Sequence, residues 1–128
     1  MSWSRAPVAA ALVEALEAVS AGLVSCFDRP PAVFNAPAYV IGYPDTVQIN
    51  DPAFGIDLAT MSVICAQVVD MSDGLDDLLA AAAKAVDADV TLGGVVQVAQ
   101  VKEQRAWRAT SVGGVQMLLA ELSLQIHM

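Results

Sequence analysis

Two long segments near the C-terminus place their side chains alternately on two faces. Residues 112–127 alternate in this way throughout, and residues 90–109 contain the run Val-Val-Gln-Val-Ala-Gln-Val at 95–101. A period of two residues indicates β-strands. Because only Thr110 and Ser111 separate the segments, we expect an antiparallel hairpin. The chain must therefore fold around a β-sheet.

The preceding part of the chain supplies two helices and two further strand regions. Apolar residues at helical spacing predict a helix over 7–25, and a second helix is predicted over 73–89. Strand segments are predicted at 38–42, with a continuation at 46–49 beyond a turn, and at 56–69. Both faces of the last segment are mostly apolar, so we expect it to be a central strand covered on both sides.

The connecting segments complete the predicted architecture. Three prolines make 28–37 an extended connector, residues 50–55 read as a loop, and Ser72 is placed to cap the second helix. The predicted fold class is α+β: a mainly antiparallel four-stranded sheet with two helices packed on it, in the order α-β-β-α-β-β. Its length predicts a single domain over residues 1–128.

Composition narrows the classes of function. Fourteen acidic against six basic residues give a net charge of −8, which argues against binding to nucleic acid or to an anionic membrane. Hydrophobic residues make up 56% and charged residues 16%, where soluble domains average about 25% charged. A small domain has little interior for this apolar surface, so we expect part of it in subunit contacts, the alternative being an alanine-rich core.

Membrane insertion and secretion are not expected from this sequence. The longest uncharged run lies between Arg29 and Asp45 and is interrupted by prolines, and the N-terminus shows no signal-peptide pattern. Two cysteines, Cys26 and Cys65, are too few for a disulfide scaffold. We expect reduced thiols in a cytoplasmic protein, with a pair between them left open.

No arrangement of residues predicts an active site, a metal site or a cofactor. The single histidine, His127, is the next-to-last residue, and no CxxC spacing occurs. The carboxylates Asp73, Asp76 and Asp77 are explained by the N-terminus of the second helix. The glycine pairs match no phosphate-binding loop. We therefore expect a protein that is not an enzyme.

One cluster of cations is a candidate interface. Lys102, Arg105 and Arg108 lie in one stretch together with Trp107. Such a cluster could touch nucleic acid. Three cations in a chain of charge −8 make a weak patch, so a contact with an acidic neighbouring subunit is at least as good an interpretation.

The order of the segments resembles a tail terminator, or a closely related head–tail connector (neck) protein, of a long-tailed bacteriophage infecting an actinobacterium. The resemblance spans nearly the whole chain and rests on an N-terminal helix followed by AYVIGYPDTVQIND, GIDLATMSVICAQVV, DGLDDLLAAAAKAVDAD, GGVVQVAQVKEQRAWR and GGVQMLLAELSLQIH. It implies a structural protein that caps the tail tube as a hexameric ring, ends tube polymerisation and offers a docking surface for the head.

The resemblance also implies partners and a location. The partners would be further copies of the chain, the major tail tube protein and the head completion or neck proteins. DNA would pass through the lumen without specific binding, and acidic side chains facing it would repel phosphate. The protein would occupy the host cytoplasm during assembly and then the neck or tail top of the virion. The alternatives are a neck stopper, a tail-tube subunit, a small ligand-binding α+β domain, or an accessory or antitoxin-like oligomer.

Overall fold

A computed structural model describes residues 3–49, 57–69 and 73–128 as a β-sheet with two α-helices on one face. The elements, in chain order, are α1 (Arg5–Ser20), β1 (Ser25–Phe27), β2 (Ala38–Ile41), β3 (Thr46–Gln48), β4 (Leu58–Val68), α2 (Asp73–Ala88), β5 (Val98–Val112) and β6 (Val115–His127). The predicted loop at 50–55 and the predicted cap Ser72 lie outside the described residues.

The six described strands form one mixed sheet in the order β1-β2-β4-β6-β5, with β3 also paired to β4. β1 and β2 are parallel, whereas all other pairs are antiparallel. The prediction of a four-stranded antiparallel sheet in the order α-β-β-α-β-β was therefore wrong. β1 has three residues, too few to show an alternating pattern, and it adds the parallel pair. The continuation predicted at 46–49 is a separate strand, β3, which pairs with β4 on its own.

Helix α1 is shorter at its C-terminus than the predicted 7–25. It ends at Ser20 because Ala21 and Gly22 adopt left-handed backbone angles, with φ of 51° and 78°. Leu12 and Leu16 are buried as predicted, but Leu23 lies beyond the helix and is 83% exposed.

The C-terminal hairpin has its turn three residues later than predicted. Gly113 and Gly114 form the turn, with φ of 58° and 81°, and two successive positive φ angles are the geometry that two-residue hairpins favour. Thr110 and Ser111 belong to β5. The start of the predicted strand 90–109 was also wrong, because positive φ angles at 92–94 place a turn there and β5 begins only at Val98.

The main core lies between the helices and one face of the sheet. Strand register places Met61 opposite Leu124 and Val63 opposite Leu122, and all four are buried beneath the helices. The Tyr39 hydroxyl donates a hydrogen bond of 2.8 Å to the carbonyl oxygen of Leu78, which ties β2 to α2. Burial of this face is what holds the two helices on the sheet.

The opposite side of the sheet, here called the open face, carries no helix among the described residues. Near the hairpin turn it holds a small apolar cluster that includes Met117 and Leu119, with Phe27 and Phe34 packed against it. The proline-rich connector thus covers one end of the open face. The remainder of this face carries polar and charged side chains together with apolar ones such as Leu58.

Candidate interaction surface

All four residues predicted to form an interface lie on β5, which is an edge strand. Lys102, Arg105, Trp107 and Arg108 belong to an exposed stretch of β5, whose outer edge is unpaired within the described part of the chain. The structure therefore brings the four together along one border of the sheet, beyond the cover of the helices.

Two β-bulges interrupt this border. The register passes from Val101 opposite Leu124 to Glu103 opposite Ser123, which leaves Lys102 as an extra residue. A second shift between Arg105 and Arg108 includes Trp107. Bulges disrupt the regular ladder and redirect side chains. Lys102 and Trp107 thus occupy the irregular positions of β5.

The two arginines are engaged by carboxylates of their own chain. Arg105 Nη2 lies 3.0 Å from Asp45 Oδ2, and its Nη1 and Nε lie 3.5 Å from Glu121 Oε2 and 3.7 Å from Glu103 Oε1. Arg108 Nη2 lies 3.2 Å from Glu121 Oε1. The hydrogen bond to Asp45, followed by the charges around it, raises the pKa of Arg105. These pairs link β5 to β6 and to the segment that precedes β3.

The predicted site therefore divides into two pairs of residues with different roles. Arg105 and Arg108 make ion pairs within the chain, so their charge is balanced before any partner arrives. Lys102 makes no ion pair within the described residues, and Trp107 belongs to neither hydrophobic cluster while remaining 37% exposed. Lys102 and Trp107 are the members available to a partner.

Sequence reasoning missed the carboxylates that hold the arginines. Glu121 is the only Asp or Glu in β6, and its side chain is only 15% exposed. A lone acidic residue inside an otherwise uncharged strand is a signal for a partner of opposite charge. Asp45 gives no comparable signal, because 60 residues separate it from Arg105 in the sequence.

The open face also contains a shallow hollow of about 490 Å³ at the end away from the hairpin turn. Its lining consists of Leu58, Gln97, Val98, Gln100, Lys102, Gln125 and His127. Amide groups and one lysine can form hydrogen bonds with a ligand, but the lining holds no serine, cysteine or carboxylate nucleophile. The hollow therefore offers amide, ammonium and imidazole groups that could contact a ligand.

Groups with marked pKa shifts lie in the core, away from this hollow. Burial raises the pKa of the Cys65 thiol to about 12, and burial also raises the pKa of the Tyr39 hydroxyl. Cys26 and Cys65 are free thiols, each opposite Tyr39 on a neighbouring strand, so β2 separates them. Across residues 3–49, 57–69 and 73–128 no group of His, Cys, Asp or Glu could hold a metal ion.

Charge is divided unequally between the two sides of the sheet. On the open face and along β5, Lys102, Arg105 and Arg108 are matched by three carboxylates. The helices and the turn after α2 carry seven exposed carboxylates against two cations, the exposed Lys84 and the half-buried Arg5 at the start of α1. These carboxylates are Glu14, Glu17, Asp73, Asp76, Asp77, Asp87 and Asp89. The helical side is thus the acidic part of the molecule.

A narrow groove of about 230 Å³ lies on the helical side, between α1 and the turn after α2. Its lining consists of Ala11, Glu14, Ala15, Ala18, Asp89, Leu92 and Gly93. Asp89 is fixed there, since its carboxylate accepts hydrogen bonds from the Gly93 N–H at 2.9 Å and the Thr91 hydroxyl at 3.3 Å. The groove combines a small apolar floor with a negatively charged rim.

No protein-family model matches the sequence, and no curated protein matches it. Among solved structures, the chain is similar to a chain of the virion of a native gene transfer agent (GTA) particle, with a TM-score of 0.54 and 19% sequence identity. The match covers 98% of each chain. The two chains therefore share a fold from end to end. Neither helix in the described residues has the length and apolar character needed to cross a membrane.

Proposed function

We propose that this chain is a structural protein of a phage-like virion, which caps the tail tube as an oligomeric ring. The observation that carries the proposal is the end-to-end likeness of fold to a component of a virion, covering 98% of both chains. The order of the sequence segments, which resembles tail terminators, supports the more specific role. In that role the ring ends tube polymerisation and presents a docking surface to the head completion proteins.

The distribution of charge suits a subunit around a DNA channel. Seven exposed carboxylates on the helical side would repel phosphate if part of that side faced the lumen, so that DNA passes without adhering. Asp73, Asp76 and Asp77 are the members of this set that we assign to the lumen, because they form one exposed acidic group at the start of α2, which packs on β4, β6 and β5. The protein would be made in the host cytoplasm and end in the neck or tail top of the virion.

We propose no catalytic activity for this protein. The hollow on the open face favours one second candidate, a small ligand-binding domain, because its lining offers amide groups and Lys102 for hydrogen bonds. It is shallow and open, whereas ligand sites are concave and enclose most of their ligand. The ring is therefore the preferred proposal.

Electron microscopy of the purified protein, alone and mixed with tail tubes, tests the function. A terminator forms rings of one size, attaches at one end of the tube and stops further growth. Unlimited tubes of this chain alone would identify a tail-tube subunit, and binding to head-side neck components without tube arrest would identify a stopper. A monomer that never joins tubes and carries a metabolite would contradict the virion proposal.

A further inference from the structure

We propose that Trp107 and Lys102 on the β5 edge of one copy dock on the groove between α1 and the turn after α2 of the next copy. This inference rests on the proposed ring and assigns its subunit contact. The occupant of the groove is thus a second copy of this chain.

The first argument is the position of Trp107. It is 37% exposed, lies at a bulge and takes no part in either hydrophobic cluster. A tryptophan buries a large area when it is covered, and such residues dominate the binding energy of protein interfaces. Arg105 and Arg108 lie on either side of Trp107 in the sequence and are paired with carboxylates of the same chain. We therefore do not expect them to compete with Trp107 for a binding site on the next copy.

The second argument concerns the kind of contact that β5 can make. An unpaired edge strand can recruit another strand, but bulges and charged side chains oppose that mode of association. Between the bulges at Lys102 and Trp107 only Glu103, Gln104 and Arg105 keep regular pairing with β6. We therefore infer docking through side chains and not an extension of the sheet.

The third argument is the fit of the groove. Its apolar lining includes the buried Leu92 and the half-buried Ala11 and Ala15, and the exposed residues Glu14 and Asp89 place two carboxylates at its rim. At about 230 Å³ it is smaller than the roughly 300 Å³ at which small-molecule sites begin, so it suits one inserted side chain. The negative rim complements the positive charge of Lys102.

The fourth argument is the placement of the two surfaces on the subunit. β5 is an edge strand of the sheet, whereas the groove lies in the helical layer, between α1 and a turn that is hydrogen-bonded to β5 through the Ala99 N–H and the Val90 carbonyl oxygen. Contacts between two different surfaces of identical subunits produce rings when the rotation closes and fibres when it does not. A head-to-tail contact between these two different surfaces is the arrangement that a ring requires.

The test uses two variants that disable opposite halves of the contact. Trp107→Ala removes the inserted side chain, and Ala15→Leu fills the groove while keeping a residue with high helix propensity. We expect each variant alone to associate at least about thirty-fold more weakly than the wild type, as for the loss of a central tryptophan. Val115→Ala, a substitution of another exposed apolar residue of the hairpin, is the matched control and should assemble normally.

Mixing the two variants gives the sharpest outcome. The Trp107→Ala chain keeps its groove and the Ala15→Leu chain keeps its tryptophan, so the mixture should form one-to-one dimers and no rings in analytical ultracentrifugation. In a Trp3→Phe background, which leaves Trp107 as the only tryptophan, emission should shift to the blue when the protein assembles. Circular dichroism of each variant verifies that it has folded.

Two results would overturn the inference, and they differ in what they say about function. If the Trp107→Ala protein forms the same rings as the wild type, or if Trp107 emission is unchanged by assembly, the contact is wrong while the ring stands. If the wild type remains a monomer up to its solubility limit and on tail tubes, both the contact and the proposed function fail.

Discussion

Replacing Tyr39 by phenylalanine removes one buried hydrogen bond and keeps the aromatic ring of the side chain in place. The Tyr39 side chain is 1% exposed, and its hydroxyl donates to the carbonyl oxygen of Leu78 at 2.8 Å. This bond joins the sheet to α2, so its loss should weaken the attachment of the helix. Tyr43→Phe is the matched control, because Tyr43 is 61% exposed and its ring, under the Arg5 guanidinium at 4.7 Å, is retained.

The expected loss follows from the surroundings of the acceptor. A typical intramolecular hydrogen bond contributes about 0.5–1.5 kcal/mol, and an acceptor left without any partner costs more. Leu78 lies inside α2, where its carbonyl oxygen also accepts the i+4 helical hydrogen bond, so it keeps one partner. We therefore expect Tyr39→Phe to lower the free energy of unfolding by about 1 kcal/mol, or Tm by about 3–5 °C.

Urea unfolding followed by circular dichroism measures this difference, and its pH dependence gives a second readout. Burial raises the pKa of Tyr39 in the folded state above its ordinary value of 10.0. Its contribution is thus complete below pH 10 and is lost as the pH rises further, because only the unfolded chain ionises readily. Tyr39→Phe should lose less stability at alkaline pH than the wild type. Equal stability of Tyr39→Phe and wild type, or an equal loss in Tyr43→Phe, would refute the reasoning.

Three further perturbations have defined expected outcomes. Burial raises the pKa of Cys65 from 9.0 to about 12, so the wild type should lose stability as the pH rises from 9 towards 12. Urea unfolding of Cys65→Ala should show a smaller loss over the same pH range, and identical pH profiles of the two proteins would contradict this. Glu121→Gln should lower Tm slightly, and the difference should shrink in about 1 M salt because ion pairs are screened; a difference independent of salt would argue against the pairs. Gly113→Ala should lower the free energy of unfolding by about 1 kcal/mol, since alanine disfavours the φ of 58° and its Cβ would lie 3.0 Å from Val33 Cγ1. Adding Val33→Ala should restore only the part due to the close contact, and full recovery would show that the backbone angle contributes nothing.

The longer elements were predictable because their patterns repeat over many residues. The second helix was predicted at 73–89 and is found at Asp73–Ala88, and the strand predicted at 56–69 is found at Leu58–Val68 within the described residues. The segment before β5 was not predictable from alternation alone. Val95 and Val96 continue an apolar run, but the positive φ angles at Gly93 and Gly94 direct the chain through a turn first.

The candidate surface was predictable as a cluster but not in its division of roles. The spacing of Lys102, Arg105, Trp107 and Arg108 placed them on one stretch of chain. Which of these cations are ion-paired within the chain depends on Glu121. The pairing with Glu121 in turn depends on the register of β5 with β6. Two bulges shift that register, and no local sequence signal fixes the position of a bulge in advance.

The mass of the native assembly tests the central claim most directly. We expect native mass spectrometry of the full chain to show one closed assembly of fixed copy number, six as the resemblance to tail terminators implies, with a mass that stays constant as the protein concentration rises. A species of one copy at all concentrations and in contact with tail tubes, or a series of ever longer polymers, would contradict the account.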